Sequence, residues 1–310
     1  MQKRIREILS VMPEKLNGIL SAALLRLSDS VEELRFRVGR PLIIGTANGN
    51  FAVLSEGGIS PAIGGAYIVS EDDIRRIFCA ICENSVYAHA EEIKHGYITI
   101  KGGHRVGFSG KAVICGGEIE NIRDINSLNI RVASERIGCG SPYIDFVLSN
   151  GKIENTLVVS PPGCGKTTLL RDFTRIISNS GLRVSVIDER GEIAAMYKGV
   201  PQNDIGVQTD VLEDAPKEVG IPLMLRSMSP QVIICDEIAT KEDTLAVIKS
   251  FGAGCGVIAS SHGGSLDEIM NRSFLKPILG RAGFNKIIVL RRNNESLCRR
   301  ISGDVFEVEK

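Results

Sequence analysis

A glycine-rich turn, SPPGCGKTT at positions 160–168, follows the apolar segment TLVV and precedes the helix-forming segment LLRDFTRII. A turn between a strand and a helix directs several backbone N–H groups and the positive end of the helix toward one point. Phosphate oxygens bind well at such a point. In proteins that use this arrangement, the turn follows a parallel β-strand and precedes an α-helix. The segment therefore predicts a phosphate site within an α/β fold.

The turn is a variant of the pattern G-x-x-x-x-G-K-[ST], with Ser160 in place of the first glycine. Lys166 is expected to reach the β- and γ-phosphates of ATP, and Thr167 to coordinate Mg²⁺. Thr168 lies in the first helical turn, close to the expected α-phosphate. The predicted nucleotide-binding residues are Pro162, Gly163, Cys164, Gly165, Lys166, Thr167 and Thr168.

A second apolar segment, QVIICDEIA at positions 231–239, ends in two carboxylates. It has the pattern of a buried strand, and open α/β sheets place their ligands at the carboxyl ends of strands. We expect Asp236 to bind Mg²⁺ through water. Glu237 is expected to orient and deprotonate the water that attacks ATP.

Two further polar clusters follow apolar segments. In VIDERGEIA, one of Asp188, Glu189 and Glu192 is expected to assist with metal or water, while pairing of Arg190 with these carboxylates in a surface loop is an equally open alternative. In GVIASSHGGS, His262 is expected to sense the γ-phosphate. The predicted catalytic residues are thus Glu237, Glu192, Glu189 and His262, and the predicted metal ligands are Thr167 and Asp236.

The chain has 310 residues, which is long enough for two domains with separate hydrophobic cores. The predicted order of helices and strands changes once along it. Residues 1–136 combine N-terminal helices, an Asn48-Gly49 hairpin, a helix started by a Ser70–Asp73 capping box and running toward Gly96, and a β-meander. They predict a smaller α+β domain. Residues 141–310 alternate helices with apolar strands, which predicts an α/β domain with a mostly parallel sheet.

Charge and hydropathy narrow the class of protein. Lys plus Arg and Asp plus Glu both number 37, so the formal net charge is zero and gives no strong nucleic-acid signal, despite basic clusters at 35–40 and 291–300. Charges interrupt every apolar stretch near the N-terminus, so no transmembrane segment is expected and the chain is expected to be cytoplasmic. The cysteines are scattered through apolar segments and are expected to be reduced.

The order of these motifs resembles the secretion and type IV pilus ATPase superfamily of hexameric RecA-like motors. LRSMSPQVIICDEI is similar to its Walker B region, ASSHGGS to its histidine box, and VIDERGE to its acidic box, with Arg190 in place of a proline. The resemblance implies a RecA-like P-loop ATPase domain, the cofactors ATP and Mg²⁺, and a homo-hexamer. It also implies that the N-terminal domain lends arginines to a neighbour's site, with Arg105, Arg123 and Arg131 as candidates. Ordinary ion pairs at strand edges are an equally open account of each of these arginines.

Longer segments, including VEELRFRVGRPL, HGYITIKGGHRVGFSGKAV and VIDERGEIA, resemble a narrower family of ATPases from endospore-forming bacteria. That resemblance implies a place on the mother-cell side, peripheral to a membrane. It also implies partners among the membrane proteins of a sporulation channel complex.

The motifs predict a Mg²⁺-dependent ATPase, and the resemblance implies that it powers or gates a transport or assembly complex between mother cell and forespore. Two alternatives stay open. One is a nucleotide-gated scaffold with incidental hydrolysis. The other is a RecA-like motor that translocates nucleic acid.

Overall fold

The computed structural model describes residues 2–27, 30–149, 151–280, 283–291, 296–302 and 305–308. The chain divides into two compact units. The first comprises Met1–Ser134 and Tyr197–Gln202, and the second comprises Glu135–Met196 and Asn203–Lys310. The domain limits 1–136 and 141–310 stay a prediction. Of the basic cluster at 291–300, residues 292–295 lie outside the described residues.

The first unit contains one antiparallel sheet and a set of short helices. Its helices are α1 (Gln2–Leu9), α2 (Glu14–Leu27), α3 (Glu71–Ile81) and α4 (Ala90–His95). Its strands are β1 (Val31–Arg37), β2 (Ile43–Thr46), β3 (Gly49–Val53), β4 (Ile59–Ser60), β5 (Tyr97–Ile100), β6 (His104–Cys115) and β7 (Glu118–Arg131). The sheet order is β4-β3-β2-β1-β7-β6-β5. Neighbouring strands are antiparallel throughout, as the predicted hairpin and meander require.

The core of the first unit lies on one face of this sheet. Leu34 and Phe36 alternate with polar residues along β1 and are fully buried. Leu16 and Leu20, one helical turn apart on α2, are buried in the same cluster. Apolar residues at every second position of the strand and every fourth position of the helix therefore give each element one apolar face, which packs into the core.

Helix α3 begins as predicted and ends earlier than predicted. Ser70 accepts the N–H of Asp73, and the Asp73 carboxylate accepts the N–H of Ser70, which is the expected capping box. The helix then stops at Ile81, because Glu83 and Asn84 adopt positive φ values of 49° and 63° that a helix cannot contain. A short 3₁₀ turn and α4 follow, so the prediction of one helix running toward Gly96 is wrong.

The second unit is built on an eight-stranded sheet. Its helices are α5 (Ile144–Val147), α6 (Lys166–Asn179), α7 (Lys217–Ser227), α8 (Lys241–Gly252) and α9 (Leu266–Asn271). Its strands are β8 (Leu148–Ser149), β9 (Lys152–Ile153), β10 (Thr156–Ser160), β11 (Val184–Asp188), β14 (Thr209–Glu213), β15 (Val232–Glu237), β16 (Gly256–His262), β17 (Lys286–Leu290), β18 (Ser296–Ser302) and β19 (Val305–Val308). Between β11 and β14 the chain forms β12 (Met196–Tyr197) and β13 (Val200–Pro201), of which β13 belongs to the first unit. Strand β12 crosses the division between the units, and β8 with β9 forms a separate hairpin.

The order of the main sheet is β14-β11-β15-β16-β10-β17-β18-β19. The first six strands are mutually parallel, and β18 and β19 add antiparallel pairs at one edge. Both faces of the sheet are covered: Val158 of β10 packs in the cluster that contains α6, whereas Leu157 and Val159 pack in the cluster that contains α7 and α8. Burial on both faces explains why these strands are continuous apolar segments.

Among the described residues, no helix is both long and apolar enough to cross a membrane.

Candidate nucleotide-binding site

Four strands of the second unit bring their carboxyl ends to one edge of the sheet. Strands β11, β15, β16 and β10 are consecutive neighbours and end at Asp188, Glu237, His262 and Ser160. The parallel register places Ser160 directly opposite His262. Segments that lie far apart in sequence therefore meet where open α/β sheets bind ligands.

The glycine-rich turn leaves this edge after β10 and leads into α6. Gly163 and Gly165 have φ values of 74° and 90°, which only glycine adopts readily, whereas space for a side chain is available at both positions. Helix α6 begins at Lys166 and has no side-chain cap at its N-terminus. Its first N–H groups and the positive end of its dipole are thus available to an anion.

Lys166 is held back against the strand that precedes the turn. Its Nζ donates to the carbonyl of Ser160 over 2.9 Å and lies 3.2 Å from Nδ1 of His262. Burial lowers the pKa of Lys166, and the charge of Glu237 opposes this shift. The ammonium is therefore fixed at the strand ends, beside the turn.

Glu237 lies on the other side of the same histidine. Its Oε1 is 3.4 Å from Nε2 of His262, and its Oε2 is 3.5 Å from the guanidinium of Arg190. The imidazole of His262 thus lies between the ammonium of Lys166 and the carboxylate of Glu237. Arg190, which the sequence left as an alternative partner for its own acidic cluster, pairs with Glu237 instead.

Asp236, the preceding residue on β15, has an almost fully buried side chain, 9% exposed. The ammonium of Lys217 lies 2.6 Å from Oδ1, and within the described part of the chain Oδ2 has no hydrogen-bond donor. Burial raises the pKa of Asp236 to about 6, despite the opposing charge of Lys217. A buried carboxylate with unused lone pairs is suited to holding a hard cation or its water shell.

The acidic segment after β11 is folded around one buried carboxylate. Asp188 accepts the N–H groups of Glu192, Ile193 and Ala194. Burial raises the pKa of Asp188, while these hydrogen bonds oppose the shift. Arg171 of α6 donates to the carbonyls of Glu192 and Ile193, so the segment is tied to the helix that follows the phosphate loop.

The two glutamates of this segment face different groups. The hydroxyl of Thr167 donates to Oε2 of Glu192 over 3.4 Å, whereas Oε2 of Glu189 lies 2.6 Å from Nζ of Lys217. Glu192 therefore accompanies the predicted Mg²⁺ ligand Thr167, and Glu189 shares a cation with Asp236. The sequence alone could not distinguish the role of Glu189 from that of Glu192.

Lys217 is the principal site residue that sequence reasoning missed. It is the first residue of α7, and its side chain is 3% exposed. Although burial alone would lower it, the pKa of Lys217 is raised by the charges of Asp236 and its neighbours. Lysines are usually exposed, so a single lysine at a helix start gave no sequence signal.

Mg²⁺ usually binds one or two carboxylates together with the phosphates of its nucleotide. Thr167 and Asp236 supply a hydroxyl and a carboxylate at the start of α6 and the end of β15, and Asp236 has unused oxygen lone pairs. These residues fit such an ion. The described ranges contain no group of three or more His, Cys, Asp and Glu side chains arranged to hold a metal by themselves.

The candidate arginines lie on the sheet of the first unit. Arg105 of β6 and Arg131 of β7 are directly opposite each other, and the guanidinium of Arg105 stacks over the Tyr97 ring at 4.0 Å. Arg123 is opposite Lys111, farther along the same hairpin. The structure thus pairs Arg105 with Arg131 and separates Arg123 from them.

The chain is similar in sequence to one family of sporulation proteins. A family described as "Sporulation stage III, protein AA" matches residues 1–304. The stage III sporulation protein AA of Bacillus subtilis is 37% identical over 293 residues, which cover 93% of this chain and 91% of that protein.

Solved structures of similar fold include the ATPase DotB of Legionella pneumophila, at a TM-score of 0.57 and 13% identity, covering 94% of this chain and 79% of DotB. The pilus retraction motor PilT, solved with bound ADP, has a TM-score of 0.57 and 15% identity, covering 96% of this chain and 84% of PilT. At these identities the likeness shows the fold. It confirms the predicted class, a RecA-like P-loop domain with a mostly parallel sheet preceded by an α+β domain.

Proposed function

The chain belongs to the family of sporulation stage III, protein AA, and on that premise we propose that it is a Mg²⁺-dependent ATPase of the secretion-motor type. One observation carries the proposal. The side chains of Lys166, His262 and Glu237 contact one another in series at the sheet edge where the phosphate loop begins. Asp236 lies next to Glu237 with a buried carboxylate.

In this proposal the phosphates of ATP bind to the N–H groups of the turn and α6, and to the ammonium of Lys166. Thr167 and Asp236 hold Mg²⁺, with Asp236 acting through water. When bound, Mg²⁺ neutralises charge that develops on the β- and γ-phosphate oxygens. Cys164 and Thr168 contribute backbone N–H groups around these phosphates.

Glu237 is the proposed catalytic base. Its carboxylate orients a water molecule toward the γ-phosphate and accepts a proton from it. His262 contacts both Lys166 and Glu237, so it can transmit the presence of the γ-phosphate to the base. Glu192, which accepts the hydroxyl of Thr167, assists Thr167 in holding Mg²⁺. Glu189 acts on Asp236 through Lys217, the cation that the two carboxylates share.

We further propose that the sites are completed in a homo-hexamer by arginines of a neighbouring subunit. Arg105 and Arg131 are the best candidates, because they are directly opposite each other on neighbouring strands of one sheet. Arginines donated in this way accelerate phosphoryl transfer by about 10³ to 10⁵ where they have been measured. Arg123 serves as the matched control, since it pairs along the hairpin with Lys111.

The family gives the proposed activity a setting. The ATPase would act on the mother-cell side, peripherally attached to membrane proteins of a sporulation channel complex, and would power or gate transport or assembly toward the forespore. The energy of hydrolysis would move the two domains of each subunit as rigid bodies.

The test is phosphate release from MgATP, measured as protein concentration rises through the range of self-association. Shared sites predict that specific activity increases with concentration. Mixing Lys166→Ala with Arg105→Ala subunits should then restore part of the activity, because one supplies the arginine and the other the phosphate loop. Failure of Arg105→Ala and Arg131→Ala to lower activity below Arg123→Ala would contradict the arginine assignment. ATP binding without turnover would favour a scaffold, and stimulation by single-stranded nucleic acid with steep salt dependence would favour a nucleic-acid motor.

A further inference from the structure

The N-terminus of α7 carries a buried cation. Lys217 follows Pro216, whose backbone (φ −56°, ψ 142°) turns the chain into the helix, and the Lys217 side chain is 3% exposed. Close packing of Gly220 against Ile187 and Leu212 holds the first turn of α7 on the sheet. Burying an ammonium group costs folding free energy unless nearby anions compensate its charge. The groups around Lys217 must therefore supply negative charge.

Two carboxylates from neighbouring strands provide this compensation. Nζ of Lys217 lies 2.6 Å from Oε2 of Glu189, in the segment after β11, and 2.6 Å from Oδ1 of Asp236, at the end of β15. Across the described ranges, Oδ2 of Asp236 has no hydrogen-bond donor, so the Lys217 ammonium at Oδ1 is the principal electrostatic partner of this carboxylate. One positive charge is therefore shared by two negative charges.

We propose that Lys217 is a positioning residue of the nucleotide site, whose ammonium holds the Asp236 and Glu189 carboxylates together and competes with divalent cations for them. The inference rests on the proposed function in one respect, because it takes Asp236 to be the carboxylate that serves Mg²⁺. Lys217 itself touches neither substrate nor metal. It acts through the two carboxylates.

The consequence is a charge exchange at the strand ends. Without nucleotide, the ammonium keeps the carboxylates from repelling each other. When a divalent ion reaches Asp236, the pair of carboxylates no longer depends on Lys217 alone. Helix α7, which carries Lys217 at its first position, is thereby linked to occupancy of the site.

Without the Lys217 ammonium, the folded protein should be stabilised by a bound divalent cation. In Lys217→Met the buried carboxylate of Asp236 and the carboxylate of Glu189, whose side chain is 40% exposed, remain close together with no counter-charge between them. A divalent cation can then replace the missing charge even when no nucleotide is present. In the unaltered protein the ammonium already supplies the positive charge, so a divalent cation without nucleotide should have little effect on the Tm.

The experiment is thermal unfolding of the full chain without nucleotide, in EDTA and in excess MgCl₂. Lys217→Met should lower the Tm in EDTA by about 6 to 20 °C, and MgCl₂ should recover several degrees of this loss. The unaltered protein should melt at the same temperature in both buffers. Lys249→Met, at an exposed lysine of α8, is the matched control and should behave like the unaltered protein.

Two more variants keep the test decisive. Lys217→Arg should retain most of the Tm and show no response to MgCl₂, because it restores the charge. The double variant Lys217→Met/Asp236→Asn should melt above Lys217→Met in EDTA and should lose the response to MgCl₂. If Lys217→Met does not fold, the double variant decides: recovery of folding supports the charge pairing, and failure to fold overturns it.

A Lys217→Met variant whose Tm is equally low with and without MgCl₂ would contradict the proposal. This readout contains no ATP, so it is separable from the proposed function. Binding of MgATP to the unaltered protein is measured independently. Its absence would refute the ATPase assignment without changing the melting comparison.

Discussion

The imidazole of His262 contacts the ammonium of Lys166, with 3.2 Å between Nδ1 and Nζ. The two residues come from the phosphate loop and from the end of β16, and the pairing of β10 with β16 brings them together. The opposite ring nitrogen lies 3.4 Å from Glu237. A phosphate group drawn to Lys166 would therefore also meet the ring that contacts the proposed base.

His262→Asn should lower kcat by about tenfold or more and change nucleotide affinity by less than about threefold. The reason is that the ring contacts Glu237 and Lys166, whereas most of the phosphate contacts are expected from the loop and α6. Steady-state kinetics and nucleotide binding measured on one preparation check the prediction. His89→Asn, a histidine of the first unit that pairs with Glu92, is the control. A pure loss of affinity would assign His262 to binding instead.

Lys166→Met should weaken ATP binding by about 10- to 100-fold, the range expected for loss of a charge-assisted contact to phosphate. Titration with a fluorescent nucleotide measures the change. Lys249→Met removes an exposed lysine on α8 and should leave the affinity unchanged. Equal affinities for the two variants would remove Lys166 from the proposed phosphate contacts.

Glu192→Gln and Glu189→Gln should have different effects, because Glu192 contacts Thr167 whereas Glu189 contacts Lys217. The first should raise the Mg²⁺ concentration needed for half-maximal activity by about threefold or more, since it alters the neighbour of the proposed metal ligand Thr167. The second should mainly lower the Tm, since it leaves a buried ammonium with one carboxylate fewer. A Mg²⁺ titration and a thermal melt of both variants distinguish these outcomes.

The pH dependence of stability should contain a contribution from His104 in the first unit. Its ring is fully buried, accepts the N–H of Ala133 and lies 3.7 Å from Glu7. Burial, with a smaller contribution from the charge of Arg4, lowers the pKa of His104 to about 4 from its ordinary value of 6.5. The unfolded chain therefore binds this proton at higher pH than the folded chain, and stability is lost as pH falls from about 6.5 to about 4.

The contribution amounts to roughly 3 kcal/mol across this window. His104→Gln should flatten the dependence of the unfolding free energy on pH there. Denaturant unfolding of this variant and of the unaltered protein at a series of pH values measures the change. An unchanged slope in His104→Gln would mean that other groups produce the acid sensitivity.

Much of the second unit could be predicted because its strands are buried on both faces and stand out as apolar segments. The expectation that Asp236, Glu237 and His262 would lie near the phosphate loop follows from one rule, that parallel strands end at the same edge. Lys217 could not be found in this way, since its contacts depend on where α7 begins relative to two other strands. The early end of α3 was also missed, because positive φ at Glu83 is not encoded in a helical pattern. The roles of these residues stay predictions.

The most direct test of the account is single-turnover hydrolysis and nucleotide binding by Glu237→Gln. The substitution removes the carboxylate charge with little change of shape and leaves Lys166, Thr167 and Asp236 in place. Glu242→Gln, the same change at an exposed position in the first turn of α8, is the control. The account predicts that Glu237→Gln binds MgATP within about twofold of the unaltered protein and hydrolyses it at least about 100-fold more slowly. Hydrolysis at the unaltered rate would contradict the assignment of Glu237 as the catalytic base.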